Sequence, residues 1–144
     1  MRMSEPAGAG SPIPAEVIPQ LAAAAAQIAA AYEEPAPASI AAAPTTRVKA
    51  LELLFRGSTV PASYDAPSYA IVMTGHFASY QGPHSRLAQL PPRRRGRCLV
   101  VVIDASTLRA TDATMHDQDD TGLLAQLGPI ATLTPDTTRP SQNL

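Results

Sequence analysis

The six residues Cys98–Ile103, CLVVVI, constrain the fold of this chain more than any other segment. They form an unbroken apolar run rich in β-branched residues, which is typical of a β-strand. A strand with one solvated face alternates apolar and polar residues, whereas this run has no polar position, so we predict that both of its faces are covered. The segment Asp104–Thr107 follows directly and is typical of a turn, because Asp and Ser side chains hydrogen-bond their own backbone. We therefore predict a hairpin in which residues 108–114 return as the partner strand.

The chain has 144 residues, which is enough for one domain of ordinary size. Alanine buries little area per residue and dominates the first 43 residues, so we expect the core to come from the large apolar residues that follow. The sequence predicts an Ala/Pro-rich, loosely ordered N-terminal segment over 1–44, a compact domain over 45–134 and a flexible tail over 135–144. Within the first of these, residues 33–44 contain three prolines and are typical of a linker or an extended segment.

Two helices are predicted ahead of the strands. Residues 19–32 begin with proline, are rich in alanine, which is the best helix former, and carry a thin apolar stripe. Residues 46–56 place their apolar side chains on one face. Thr45 or Thr46 is suited to the N-cap of this second helix, and Gly57 stands where a left-handed C-cap belongs.

The remaining pattern predicts a sheet. Residues 69–77, YAIVMTGHF, read as a strand whose larger side chains face the core. After the hairpin, residues 121–127 are predicted as a short helix and residues 130–133 as an edge strand. These elements predict an α+β fold, with a small antiparallel sheet of about three to four strands covered on one face by one or two helices.

A basic cluster precedes the central strand, in a polar segment over 78–96 that we predict as a long loop. Guanidinium groups bind phosphates and carboxylates bidentately, so these arginines are candidate contacts for an anionic partner. The cluster comprises Arg93, Arg94, Arg95 and Arg97. No aromatic residue interleaves with it, which disfavours base stacking. The alternative is a solvated segment whose charges discourage edge pairing beside a very apolar strand.

The overall charge limits the class of partner. The formal net charge is −1, whereas general affinity for nucleic acid needs many cationic contacts at once. We therefore do not expect nucleic acid as a partner. We also expect no membrane span, because the longest apolar runs fall far short of the roughly 18 residues that a spanning helix needs.

Metal and cofactor sites are not predicted. The acidic segment His116–Asp120 offers one imidazole and three carboxylates, but it lacks the glycine and the distal glutamate of a calcium-binding loop. The spacing of His76, His84 and His116 matches no zinc pattern. A solvated acidic loop ahead of a helix at Thr121 is the simpler interpretation.

No catalytic constellation is visible in the sequence. No serine stands in the Gly-x-Ser-x-Gly context of a nucleophile elbow, and no glycine-rich phosphate loop is present. The single cysteine, Cys98, rules out an internal disulfide, and its apolar surroundings favour a buried, unreactive thiol. We therefore predict a protein that is not an enzyme, with no catalytic residues and no cofactor.

The segment from Tyr69 to Met115 resembles the strand–turn–strand of PepSY-type domains, in which an apolar strand runs into an Asp-Ala-x-Thr-Gly turn. The corresponding residues here are Leu99–Ile103 and Asp104–Thr107. The PepSY turn has glycine where this chain has Leu108, so we expect a turn of different shape. PepSY domains are implicated in protease inhibition or regulation, often outside the cytoplasm, and the resemblance implies such a role without assigning residues to it.

The same segment is similar to small uncharacterised proteins of high-GC bacteria. These pair a strand ending in Gly-x-Phe with such a hairpin, followed by a Leu-Gly-Pro segment. This chain has Gly75-His76-Phe77 and Leu127-Gly128-Pro129. The shared motifs are turn chemistry, so the resemblance bears on fold more than on function.

Three functional hypotheses follow. The first is a small non-enzymatic binding or regulatory module that contacts another protein, and it predicts an exposed apolar patch or a free sheet edge. The second is electrostatic contact with an anionic partner through Arg93–Arg97, and it predicts binding that weakens steeply with salt. An enzyme of unidentified activity comes third. The N-terminus lacks the continuous apolar segment of a signal peptide, so we expect a cytoplasmic protein, or an exported one if the true start codon lies upstream.

Overall fold

The structure is a computed structural model, and it describes residues 12–55, 65–80 and 93–133. Two α-helices, five β-strands and one short 3-10 helix make up this part of the chain. In chain order they are α1 (Ile18–Ala31), β1 (Ser39–Thr46), α2 (Arg47–Leu54), β2 (Pro67–Tyr80), β3 (Arg93–Asp104), β4 (Ala110–His116), the 3-10 helix (Thr121–Gln126) and β5 (Ala131–Thr132). None of the described helices has the length and hydropathy that crossing a membrane requires.

The five strands form one antiparallel sheet with the order β4-β3-β2-β1-β5. The α+β class and the antiparallel sheet predicted from the sequence are therefore confirmed. The predicted central strand lies within β3, which pairs with β2 on one side and with β4 on the other. The predicted hairpin forms, and the predicted edge strand near residue 130 is the two-residue β5.

Both faces of the sheet are covered, as the uninterrupted apolar run in β3 predicts. Alternate residues of β2 and β3 point into two separate cores. The core on one face contains Leu99, Val101 and Ile103 and is closed by α1. The core on the other face contains Val100 and Val102 and is closed by α2 and the 3-10 helix. The helices thus cover two faces, whereas the order of elements had led us to expect one.

The last part of the alanine-rich segment before residue 45, beginning at Ser39, is part of the sheet. Strand β1 pairs with β2 along its whole length, from Ser39 opposite Thr74 to Thr46 opposite Pro67. The boundary predicted at residue 44 therefore falls inside a strand. Alanine and proline have low strand propensity, but the small alanines let α1 and α2 approach the two faces closely, and packing outweighs propensity here.

Proline is tolerated in β1 because of where its nitrogen points. The amide of Leu133 donates to the carbonyl of Ile40, so the even-numbered residues of β1 direct their backbone groups towards β5. Strand β5 pairs only with Ala41 and Ala42, and beyond them this side of β1 is a sheet edge. The backbone nitrogen of Pro44, which has no hydrogen to donate, therefore faces this unpaired side of β1, where no hydrogen bond to β5 is lost.

The two α-helices form where the sequence predicts them. The helix predicted over 19–32 is observed over Ile18–Ala31, and the helix predicted over 46–56 is observed over Arg47–Leu54. The hydroxyl of Thr46 accepts a hydrogen bond from the backbone of Lys49 at 3.3 Å, which confirms Thr46 as the N-cap. The predicted C-cap at Gly57 lies outside the described residues.

The turn between β3 and β4 is held by Asp104. Its Oδ1 accepts from the amide of Ser106 at 2.8 Å, from the hydroxyl of Ser106 at 2.7 Å and from the amide of Thr107 at 3.1 Å, as the turn prediction required. Leu108 ends the turn with a φ of 60°, in the left-handed region that glycine favours. The chain thus adopts at Leu108 a glycine-like conformation without glycine.

The arginine cluster lies in a strand and not in the predicted loop. Strand β2 continues to Tyr80 and β3 begins at Arg93, so residues 93–96 pair with the end of β2, and Arg97 lies opposite the register shift in β2. Arginine is tolerated here because the described side chains of Arg95 and Arg97 remain exposed at the end of the sheet. Of the segment predicted as a loop, residues 81–92 lie outside the described residues.

Candidate functional site

A cleft of about 490 Å³ opens at the end of the sheet where β2 and β3 pair irregularly. It lies between the C-terminal end of α1, the paired segments of β2 and β3 beyond the irregularity, and the residue that follows β4. Its lining combines charged side chains with backbone of the two strands. The lining residues are Glu33, His76, Phe77, Ala78, Arg95, Gly96, Arg97 and Asp117.

A β-bulge in β2 shapes the floor of this cleft. The register shifts between Thr74, which lies opposite Cys98, and Phe77, which lies opposite Gly96. Two residues of β2 therefore face a single residue of β3. Bulges bend a strand and redirect side chains, and they are frequent beside functional sites. Here the bulge brings His76 to the cleft wall together with Arg97.

Glycine in the bulge leaves room for a carboxylate that crosses it. A Cβ at Gly75 would lie 2.8 Å from Oε2 of Glu34. The same oxygen accepts a hydrogen bond from the amide of His76 at 2.8 Å, and Oε1 accepts from the amide of Ala36 at 3.3 Å. Glu34 thus fixes the bulge and the chain leaving α1 at the same time.

The C-terminal end of α1 is joined to the same part of β2. The carbonyl of Tyr32 accepts from the amide of Ala78 at 2.8 Å, and Glu33 follows with a φ of 65°. The amides of Glu33 and Glu34 bond back to Ala30 and Ala29, which is the Schellman arrangement at a helix C-terminus. Glycine is the residue that this arrangement favours. Here a glutamate adopts the left-handed conformation instead, and it lines the cleft.

The charges that line the cleft are of both signs. The side chains of Arg95, Arg97 and Asp117 are exposed, and within the described residues none of the three forms an ion pair or a side-chain hydrogen bond. Two guanidinium groups and the His76 imidazole can donate hydrogen bonds to a carboxylate or a phosphate. The carboxylates of Glu33 and Asp117 at the same cleft oppose a ligand that carries a long run of negative charge.

The predicted contact residues are only partly brought together. Arg95 and Arg97 both line the cleft. Arg93 and Arg94 lie opposite Tyr80 and Ser79 in the β2–β3 ladder, and their side chains are outside the described residues. His84 lies outside the described residues as well.

The acidic segment at the end of β4 makes hydrogen bonds within itself and to the adjacent 3-10 helix. Nδ1 of His116 is hydrogen-bonded to Oδ2 of Asp120, which is 4% exposed. Oδ1 of Asp119 accepts from the amide and from the hydroxyl of Thr121, both at the start of the 3-10 helix. Within the described residues, no group of three or more His, Cys, Asp or Glu side chains is placed to hold a metal ion. Asp117 alone of this segment faces the cleft.

The single cysteine is inaccessible. Cys98 is fully buried beneath α2 and the 3-10 helix. Burial raises the pKa of its thiol from 9.0 to about 11, partly offset by a hydrogen bond from the backbone of Asp120. A protonated, enclosed thiol is a poor nucleophile, which agrees with the unreactive cysteine predicted from the sequence.

A smaller cavity of about 240 Å³ lies at the opposite end of β3, between the start of β2 and the Asp104 turn. The Asp104 carboxylate is committed to this turn. The hydrogen bonds from the Ser106 hydroxyl and from the backbone of Ser106 and Thr107 hold its pKa below the ordinary value. Among the described residues, no arginine, lysine or histidine lines this cavity and its one charged group is the Asp104 carboxylate, so it is the weaker candidate for binding an anionic ligand.

Part of the cleft was not foreseen from the sequence. The sequence gives no reason to select Glu33, and it indicates Asp117 only as part of a solvated acidic loop, because the two residues come from segments remote in sequence that the fold brings to one place. The isolated Gly75 in an otherwise regular strand pattern is a recognised signal of a bulge or of close backbone approach. It was the one local sign of the irregularity on which the cleft is built.

Comparison of this chain with protein-family models, with curated proteins and with solved structures found no match. The resemblance to PepSY-type domains and to small proteins of high-GC bacteria therefore stays a prediction.

Proposed function

We propose that this protein is a non-catalytic binding module that holds an acidic segment of a protein partner in the cleft. The observation that carries the proposal is the pair of exposed guanidinium groups, Arg95 and Arg97, without an ionic partner among the described residues. Arginine recognises carboxylate and phosphate through a planar pair of donors, which gives direction as well as attraction.

The mixed charge of the cleft favours a single anionic group over a polyanion. Asp117 and Glu33 flank the arginines and repel a second negative charge placed beside the first. The net charge of −1 provides no wider positive field to attract nucleic acid. An acidic side chain on a protein segment meets these conditions.

Contact through apolar surface is less favoured. Ile130, at 43% exposure, is the only large apolar side chain exposed in the part of the chain that the structure describes. Apolar docking sites generally need contiguous patches of a few hundred Å². Polar recognition at the cleft is therefore the better basis for partner binding.

The proposal is tested by calorimetric titration of the full chain with a short blocked peptide that carries one central glutamate. The same peptide with glutamine, and one with phosphoserine, are the matched ligands. We expect the glutamate and phosphoserine peptides to bind, and we expect their affinity to fall as salt is added because exposed charges are screened.

Arg95→Ser combined with Arg97→Ser is the matched variant. It should weaken glutamate-peptide binding by about tenfold or more, since each charged hydrogen bond contributes on the order of 1.5 kcal/mol. Arg109→Ser removes an exposed arginine at the far end of β3 and should leave binding unchanged. Equal affinity for the glutamine peptide, or an equal loss in both variants, would overturn the proposal.

A further inference from the structure

The hydroxyl of Tyr69 is a buried polar group that is not hydrogen-bonded within the described residues. Tyr69 lies in β2, is 2% exposed and belongs to the core beneath α1. In the part of the chain that the structure describes, no group donates to this hydroxyl or accepts from it. Buried hydroxyl groups nearly always have a partner, because leaving one unbonded costs free energy. A partner for Tyr69 therefore has to come from the space beside it.

The space beside Tyr69 is the smaller cavity of about 240 Å³, between the start of β2 and the turn that joins β3 to β4. Tyr69 lines this cavity together with the apolar surfaces of Ala66, Pro67 and Ala105. Pro67 is exposed, so a molecule can enter from solvent. A cavity of about 150 Å³ lined by apolar side chains binds benzene. The volume beside Tyr69 therefore suits a six-membered ring with a short substituent.

The charges around this cavity favour a neutral ligand. Among its described lining residues, the one charged group is the carboxylate of Asp104, whose lowered pKa keeps it ionised at neutral pH. This carboxylate repels an anion. Burial first, and then the charge of Glu16, raise the pKa of Tyr69, so its hydroxyl keeps its proton and can donate. An ammonium or guanidinium group offers no acceptor for that donor.

We propose that this cavity binds a small neutral molecule that carries a carbonyl-type oxygen. The oxygen accepts a hydrogen bond from the Tyr69 hydroxyl, and the ring-sized apolar body contacts Ala66, Pro67 and Ala105. The charged cleft lies at the other end of β3 and shares no described lining residue with this cavity. The ligand proposed here is therefore independent of the acidic segment proposed for the cleft.

Acetophenone is the probe, because it combines one ring with one neutral carbonyl group. Titrating the ¹⁵N-labelled full chain with acetophenone should give saturable shifts of the amides of Tyr69, Ala105 and Ser106, which line the cavity. Benzoate has a similar size but carries a negative charge, and it should not shift these three amides. The absence of saturable acetophenone shifts at the cavity would overturn the proposal. So would binding of benzoate there with equal affinity.

Tyr69→Phe tests the hydrogen bond separately from the cavity. It keeps the ring and should weaken acetophenone binding on the order of fivefold, the contribution of one neutral hydrogen bond. It should not weaken the binding of toluene, which has no acceptor. Tyr32→Phe makes the same change at the other end of α1 and is the matched control, which should bind acetophenone as the wild type does. Unchanged acetophenone affinity in Tyr69→Phe would contradict the proposed contact.

The stability of Tyr69→Phe supplies a second measurement. Because the hydroxyl is not bonded within the described chain, its removal should not lower the urea midpoint of unfolding in the absence of ligand. Acetophenone should raise the midpoint of the wild type more than that of Tyr69→Phe, since a ligand stabilises the state that binds it. A lowered midpoint for the ligand-free variant would show that the hydroxyl is already bonded within the protein and would overturn the proposal.

Discussion

The Arg47 guanidinium holds the Asp112 carboxylate by two hydrogen bonds, Nε to Oδ2 at 2.9 Å and Nη2 to Oδ1 at 3.2 Å. The first residue of α2 is thereby joined to the edge strand β4, 65 residues along the chain. The hydroxyl of Thr111 donates to the same carboxylate at 2.8 Å. The pair is half-buried and bidentate, which is the geometry in which an ion pair contributes measurably to stability.

Removing this ion pair should lower stability in a pH-dependent way. Burial alone would raise the pKa of Asp112, but the hydrogen bonds from Arg47 and Thr111 and the charge of Arg47 outweigh burial and hold the pKa below its ordinary value of 3.8. A carboxylate whose pKa is lowered in the folded state stabilises the fold at pH values above its ordinary pKa. That stability is lost as the pH falls through the folded-state pKa.

We therefore expect Asp112→Asn to reduce the free energy of unfolding by about 1 kcal/mol at neutral pH. The difference from wild type should shrink below the ordinary aspartate pKa, as urea denaturation at a series of pH values would show. Asp117→Asn, at an exposed carboxylate without a bonded partner among the described residues, is the control and should change little. A difference that persists unchanged into acid would contradict the role of the ion pair.

Strand β1 should contribute to stability as a full member of the sheet. Ile40 is 1% exposed and packs in the core beneath α1. Ile40→Ala should lower the free energy of unfolding by about 3 kcal/mol, because it removes buried methyl groups and leaves a cavity. Thr132→Ala, on the exposed face of the neighbouring β5, should cost less than about 0.5 kcal/mol. Equal, small losses for the two variants in denaturant unfolding would show that β1 is not held in the sheet.

Replacing Glu33, which has a left-handed conformation at the end of α1, by glycine should increase the stability of the protein. Glu33→Gly relieves a conformation that costs a non-glycine residue about 1 kcal/mol, so thermal unfolding should shift upward. Ala30→Gly places the same residue type at an exposed helical position one turn earlier, where it should lower stability by about 1 kcal/mol. Shifts of the same sign in the two variants would contradict the assigned helix end.

The buried thiol should report unfolding. With its pKa raised to about 11 by burial, Cys98 should react with a disulfide reagent at neutral pH at least about a hundredfold more slowly than an unhindered thiol. In denaturant the chain is unfolded, and the reaction of Cys98 should be complete within the mixing time. Rapid stoichiometric reaction of the folded protein would show that the thiol is accessible.

The elements with the strongest local signals were predictable from the sequence. The run Cys98–Ile103 has neither polar alternation nor a breaking residue, so its burial on both faces follows from composition alone. Asp104 and Thr46 act through side chains that bond the adjacent backbone, and such short-range chemistry depends little on the rest of the fold.

The parts that depend on long-range packing were not predictable in this way. Strand β1 consists largely of alanine and carries Pro44, and only its pairing with β2 makes it a strand. The sequence predicts a loop at the arginines, because the register of the β2–β3 ladder beyond the bulge leaves no pattern in the sequence. The cleft joins Glu33, His76 and Asp117 across three segments, and nothing local to any one of them predicts the others.

Chemical-shift mapping tests most directly whether the cleft binds an acidic segment. Titrating the ¹⁵N-labelled protein with the glutamate peptide should shift the amides of His76, Phe77, Gly96 and Asp117, which line the cleft. The amides of the turn at Ser106 and Thr107, at the other end of β3, should not move. Saturable shifts confined to the cleft, absent in the Arg95→Ser/Arg97→Ser protein, are the predicted result. Shifts centred elsewhere, or identical shifts with the glutamine peptide, would contradict the proposed site.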